Sequence, residues 1–168
     1  KMSDHAVLYR MNAQSSTIEN AFVRAGIPYR IIGGLRFYER KEIKDALAYL
    51  TLINNTADNV RLRRIINEPK RGIGDTTLNN ASEIAAGLGV SMFEVISNAD
   101  SYPALSRASA KLLQFSEMIK ELIEAAQELK PHELLEKTLS MTGYYQFLDL
   151  DKDTAQDRKE NLNELKAN

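Results

Sequence analysis

Asn67-Glu68-Pro69-Lys70-Arg71-Gly72-Ile73-Gly74-Asp75-Thr76 reads as a tight link between two helices. Pro69 closes the segment before it, and a glycine–apolar–glycine step makes a tight turn. Asp75 or Thr76 then stands where a helix cap belongs. Upstream, Asp58 to Asn67 sets Leu62, Ile65 and Ile66 on one side and Arg61, Arg63 and Arg64 mostly on the other, which predicts a short helix. Downstream, a second helix is expected to about Gly87. Two helices joined this closely leave the first amides of the second pointing outward.

Further along the chain, Ser91 caps a short helix to about Ser97. Leu105, Ala108, Leu112, Phe115, Ile119, Leu122, Ala126 and Leu129 alternate steps of three and four. A second apolar line at Leu113, Met118 and Ile123 widens that stripe, as in the central helix of a bundle rather than a zipper. Pro131 begins a helix to about Met141, Gly143 breaks it, and residues 144–148 form a short apolar helix or turn. Residues 149–156 read as a loop, and the last dozen as a charged helix.

Toward the N-terminus, Ile43, Ala46, Leu47, Leu50 and Ile53 mark an amphipathic helix from about Arg40 to Asn54. Ala6-Val7-Leu8-Tyr9 and Tyr29-Arg30-Ile31-Ile32 read as strands. Between them a helix from about Ala13 to Ala25 places Ile18, Ala21, Phe22 and Ala25 on one face, stopped by Gly26 and Pro28. The expected fold is therefore mainly α: a short parallel βαβ portion of an incomplete α/β domain, then a helical bundle containing the Gly-Ile-Gly turn. Composition places the boundary in Asn54-Asn55-Thr56-Ala57-Asp58, giving domains 1–53 and 54–168. Two parallel strands make no sheet alone, so either they pack on the helical part or further strands lie outside this chain. The polar helix without a closing signal at the end favours a piece cut from a longer protein.

Composition removes whole classes of chemistry. No Cys leaves no disulfide, thiol nucleophile or thiolate metal site, and His5 and His132 are too far apart for a His-rich metal centre. No apolar run approaches a membrane span. Neither a G-x-x-x-x-G-K-[ST] nor a G-x-G-x-x-G motif occurs, and no catalytic constellation stands out. The net charge of −1 conceals a split. Residues 1–75 hold 13 Lys or Arg against 8 Asp or Glu, a net of +5, whereas residues 76–168 hold 9 against 15, a net of −6. Either the basic half meets a polyanion, or acidic helices simply balance basic loops.

Three groups are candidates for binding. At the Gly72-Ile73-Gly74 turn, unpaired amides, the helix dipole, Lys70 and Arg71 suit a phosphate, in the manner of helix-hairpin-helix contacts to a nucleic-acid backbone. A plain inter-helix turn with solvated cations fits the same residues. Arg10 and Asn12 leave the first expected strand at its carboxyl end, where ligands bind in open sheets, although Asn12 could equally cap a helix. Arg36 follows Gly33-Gly34 at the same edge, with Phe37 and Tyr38 as base-stacking or core aromatics. Glu39-Arg40-Lys41-Glu42-Ile43-Lys44-Asp45 reads as a solvated charged face.

Ala6-Val7-Leu8-Tyr9-Arg10-Met11-Asn12-Ala13-Gln14-Ser15, then residues 33–45, then Asn67 to Gly74 resemble consecutive motifs of the UvrD/Rep/PcrA superfamily 1 DNA helicases. A weaker likeness continues to Arg158-Lys159-Glu160-Asn161-Leu162. The resemblance implies part of the second RecA-like motor domain (2A) followed by its inserted helical subdomain (2B). It implies an ATP-dependent 3′-to-5′ helicase of DNA repair or replication, located in the cytoplasm. ATP and Mg would belong to the parent protein and no cofactor to this fragment, which alone would be inactive. By family likeness Arg10, Asn12 and Arg36 would touch single-stranded DNA. Lys70, Arg71, Gly72, Ile73, Gly74 and Thr76 would touch the duplex ahead of a fork. Ser16 departs from the family's usual Arg. The alternatives are a nuclease-coupled recombination helicase, or a docking or autoregulatory module using the acidic helical half for protein partners.

Overall fold

The computed structural model describes residues 1, 4–32 and 34–167, apart from the side chain of Asn12. Its α-helices are α1 (Ser15–Arg24), α2 (Lys41–Asn54), α3 (Asn59–Ile65), α4 (Asp75–Leu88), α5 (Met92–Ile96), α6 (Ser109–Ala125), α7 (Pro131–Met141), α8 (Tyr144–Leu148) and α9 (Ala155–Ala167). The chain divides into two compact units, one of residues 1–44 with 148–168 and one of residues 45–147.

No strand forms among the described residues, which corrects the expected parallel βαβ portion. Both stretches lack regular structure, with Leu8 94% and Ile32 83% exposed. The physical reason lies in α1. A parallel pair needs an apolar layer on its face, yet Ala21 and Ala25 are exposed and α1 buries Ser15, Ser16 and Glu19 instead. Its C-terminus behaves as the sequence suggests: Gly26 adopts φ +64°, and the Ile27 amide donates to the Phe22 carbonyl at 2.8 Å.

The unit of residues 1–44 and 148–168 is held by a buried polar network. The Arg40 guanidinium donates to Asn161 Oδ1 and to Ser15 Oγ, each at 2.7 Å, and lies over the Phe37 ring. Asn161 Nδ2 in turn donates to Glu42 Oε1 at 2.6 Å, and Arg158 Nε reaches Glu42 Oε2 at 3.4 Å. Glu19 accepts from the Phe37 amide and from the Tyr29 hydroxyl. Burial draws the Arg40 pKa below its ordinary value, while Glu19 and Glu42 pull the other way. Burial first, then the neighbouring Glu19, raises the Tyr29 phenol. The charged run 39–45 is therefore no solvated face, because Arg40, Glu42 and Asp45 are buried.

The unit of residues 45–147 is a helical bundle. Helix α5 packs on α4, α3 and α6, and α6 packs on α7. The apolar stripe is buried at Leu105, Leu112, Phe115, Ile119 and Leu122. Its helix is shorter than expected. Pro103–Ala108 winds as a 3₁₀ helix, and α6 stops at Ala125, before Lys130 turns extended ahead of Pro131. Ser91 and Glu94 form a reciprocal capping box on α5. Asp45, fully within the core, accepts from the Tyr144 hydroxyl and pairs with Arg64, both at 2.7 Å.

Candidate nucleic-acid interface

The turn between α3 and α4 is built by one side chain that the sequence did not single out. Asn67 Oδ1 accepts from the Arg71 amide at 2.8 Å and from the Ile73 amide at 3.3 Å, folding residues 67–73 around itself. Gly72 takes φ +69°, a left-handed conformation that glycine adopts without strain. Ile73 is 1% exposed, so the residue anchors the turn in the core. The N-cap of α4 is Gly74, not Asp75 or Thr76, and no side chain caps it. The first intrahelical bond runs from the Leu78 amide to the Gly74 carbonyl. Among the described residues, the amides of Asp75, Thr76 and Thr77 therefore have no protein acceptor, as an uncapped helix start requires. Asp75, exposed in the first turn, offsets part of the positive potential there.

The two cations of the motif have opposite fates. Lys70 is exposed and, among the described residues, makes no hydrogen bond or ion pair. Arg71 is turned inward. Its Nη1 donates to the carbonyls of Ile65, Ile66 and Pro69 at 3.1 to 3.2 Å, closing the end of α3. Its Nη2 donates to Tyr49 Oη at 2.9 Å and approaches the Thr142 carbonyl at 3.4 Å, and the guanidinium lies 5.3 Å from the Phe115 ring centroid. Tyr49 Oη also donates to the Glu68 carbonyl at 2.7 Å. Burial pushes the Tyr49 phenol up to about 12, against the opposing pull of Arg71. Arg71 thus organises the turn, and Lys70 is the motif side chain with donors to spare.

Two further cations come to this region from elsewhere. Lys111 of α6 places Nζ 3.2 Å from the Gly72 carbonyl. Arg63 of α3 donates to the Leu78 carbonyl and to Asn79 Oδ1, both at 3.3 Å, tying α3 to the start of α4. Thr76 is exposed on the first turn of α4.

The single-strand candidates belong to the other unit. Arg10 is exposed and lines a shallow open depression with Tyr9, Gln14, Thr17 and Glu164. Gln14 Oε1 accepts from the Arg10 and Met11 amides, shaping that corner. Asn12 begins a 3₁₀ turn to Gln14, and its side chain lies outside the described residues, as does Gly33. Arg36 is exposed, its guanidinium 5.8 Å from the Tyr29 ring centroid. Phe37 is wholly buried, while Tyr38, edge-on to it, is 45% exposed and offers a ring face. Ser16 is buried in α1.

Among the described residues no three His, Asp or Glu side chains gather as a metal site, and no helix is long and apolar enough to cross a membrane. The family model for the UvrD-like helicase C-terminal domain matches residues 1–167. The chain is 44% identical over 165 residues to the ATP-dependent DNA helicase PcrA of Leuconostoc citreum, covering 97% of this chain and 22% of that protein. It is 44% identical over 166 residues to PcrA of Bacillus subtilis (strain 168), covering 98% and 22%, and 38% identical to PcrA of Staphylococcus aureus (strain Mu50), covering 98% and 23%. The chain thus spans less than a quarter of the length of these relatives. An uncapped helix start behind a Gly-Ile-Gly turn, and a family match that runs the length of the chain, lead to one assignment: this chain belongs to the UvrD-like helicase C-terminal domain family.

Proposed function

We propose that this chain is the DNA-gripping part of an ATP-dependent helicase that moves 3′ to 5′ along one strand at a fork. The observation that carries the reading is the α3–α4 turn. It carries three unpaired amides, the exposed Lys70 and the exposed Thr76 on a turn fixed by Asn67 and Arg71. Such an array suits phosphate oxygens and carries no base-reading group, so it grips duplex without sequence preference. Arg10, Asn12 and Arg36 hold the single strand, with Tyr38 as a stacking surface. ATP and Mg bind elsewhere in the parent protein, whose relatives are named as ATP-dependent. The chain by itself hydrolyses no ATP, in keeping with the lack of a phosphate-binding P-loop sequence.

Fluorescence anisotropy with a forked duplex, titrated with salt, tests this. Lys70→Gln is expected to lower the salt slope on blunt duplex by about one unit and leave single-strand binding unchanged. Arg10→Gln with Arg36→Gln is expected to do the reverse. Binding that is absent, or independent of salt, would sink the reading and favour a protein-docking role for the acidic helical half. ATP turnover by the purified chain above background would contradict its predicted inactivity.

A further inference from the structure

We propose that Lys111 is a further phosphate-contacting residue of the α3–α4 turn, supplied by α6 from 39 positions beyond Gly72. The inference rests on the duplex-gripping reading above and extends it to a residue outside the motif. Its geometric basis is the fit between Lys111 and Gly72. At φ +69° the turn needs glycine, and the space where a Cβ would stand is the space the lysine occupies: Nζ lies 2.6 Å from that position. The ammonium is therefore seated in the turn, and its bond to the Gly72 carbonyl uses one of three N–H donors. Two remain, on an exposed side chain that pairs with no carboxylate among the described residues.

The neighbouring cations are otherwise engaged. Arg71 is committed to backbone carbonyls and Tyr49, Arg64 to Asp45, and Arg63 to Leu78 and Asn79. Among the described residues Lys70 and Lys111 are left as lysines of this turn with spare donors. Lys70 lies in the α3–α4 loop and Lys111 in α6, so the turn draws its cations from two separate parts of the chain. An ammonium already held by a backbone carbonyl also gives up less side-chain freedom when it binds than a free lysine does.

The test uses the 168-residue chain and a short blunt duplex, with affinity measured by anisotropy between about 50 and 200 mM salt. One phosphate contact contributes about 0.9 to the log–log slope, so a fourfold rise in salt weakens wild type about 3.5-fold more than a variant lacking that contact. Lys111→Gln is expected to show that smaller drop, and Lys111→Arg to restore the wild-type slope, with far-UV circular dichroism confirming equal helix content. A Lys111→Gln line parallel to wild type, weaker or not, while Lys70→Gln flattens its own, would overturn the proposal: Lys111 would then be only a strut beneath Gly72. Salt-independent or absent binding by wild type would instead remove the duplex reading itself.

Discussion

Replacing Arg71 separates a structural cation from a DNA-binding one. In Arg71→Met the aliphatic stem can still pack near Phe115, but the guanidinium and its bonds are gone. Nη1 has two hydrogens for three carbonyls, and Nη2 has a well-placed partner in Tyr49 Oη at 2.9 Å, so about three good bonds are lost. At about 1 kcal/mol net for each half-buried bond, the loss is about 3 kcal/mol. The contact with the ring adds about 0.5 kcal/mol. Urea unfolding followed by far-UV circular dichroism, suited to a chain without Trp, should show a midpoint lower by about 1–2 M. Arg71→Lys keeps the charge but cannot span carbonyls on one side and a phenol on the other, and should still lose about 2 kcal/mol. Its salt slope on duplex should match wild type. If Arg71→Lys is as stable as wild type, or Arg71→Met lies within about 0.5 kcal/mol of it, the inward role assigned to Arg71 is wrong.

Tyr49 sets an alkaline limit. Its folded pKa of about 12 lies above the ordinary 10.0, so its contribution is intact below pH 10 and is lost as pH climbs through 12. The loss should reach about 2–3 kcal/mol, and Tyr49→Phe, less stable at neutral pH, should show a flatter profile in urea midpoints measured across that range. Gly72→Ala should cost about 1–2 kcal/mol, mostly from the left-handed backbone, since Lys111 can swing away; a neutral result in thermal melts would refute the strain argument. Asn161→Leu should destabilise by about 2–3 kcal/mol, because Arg40 and Glu42 each lose a buried partner. Equal stability to wild type would show that this network is dispensable.

The helices were legible because their signals are local. Ile43, Ala46 and Ile53 mark the buried face of α2, and the Ser91–Glu94 box marks the start of α5, without reference to any other part of the chain. The strands failed because a strand is defined by its neighbours. Val7 and Leu8 read as core material, but no described segment pairs with them and α1 turns a polar face inward. The run 39–45 misled for a related reason. Its charges look solvated until Asn161, Arg64 and Tyr144, between 19 and 121 positions away, bond to Arg40 and Asp45.

The candidate interface divides in the same way. That a glycine–apolar–glycine turn joins two helices and leaves the first amides of the second open is written locally, because φ preferences and helix-end geometry act over a few residues. Which cations lie at that turn depends on the packing of distant helices. A lysine or arginine side chain reaches far enough to choose among partners, and the choice depends on what the fold brings near. Tyr49, Thr142 and Phe115 draw Arg71 inward, Lys70 is left outside, and Lys111 arrives from α6 to fill the space beside Gly72.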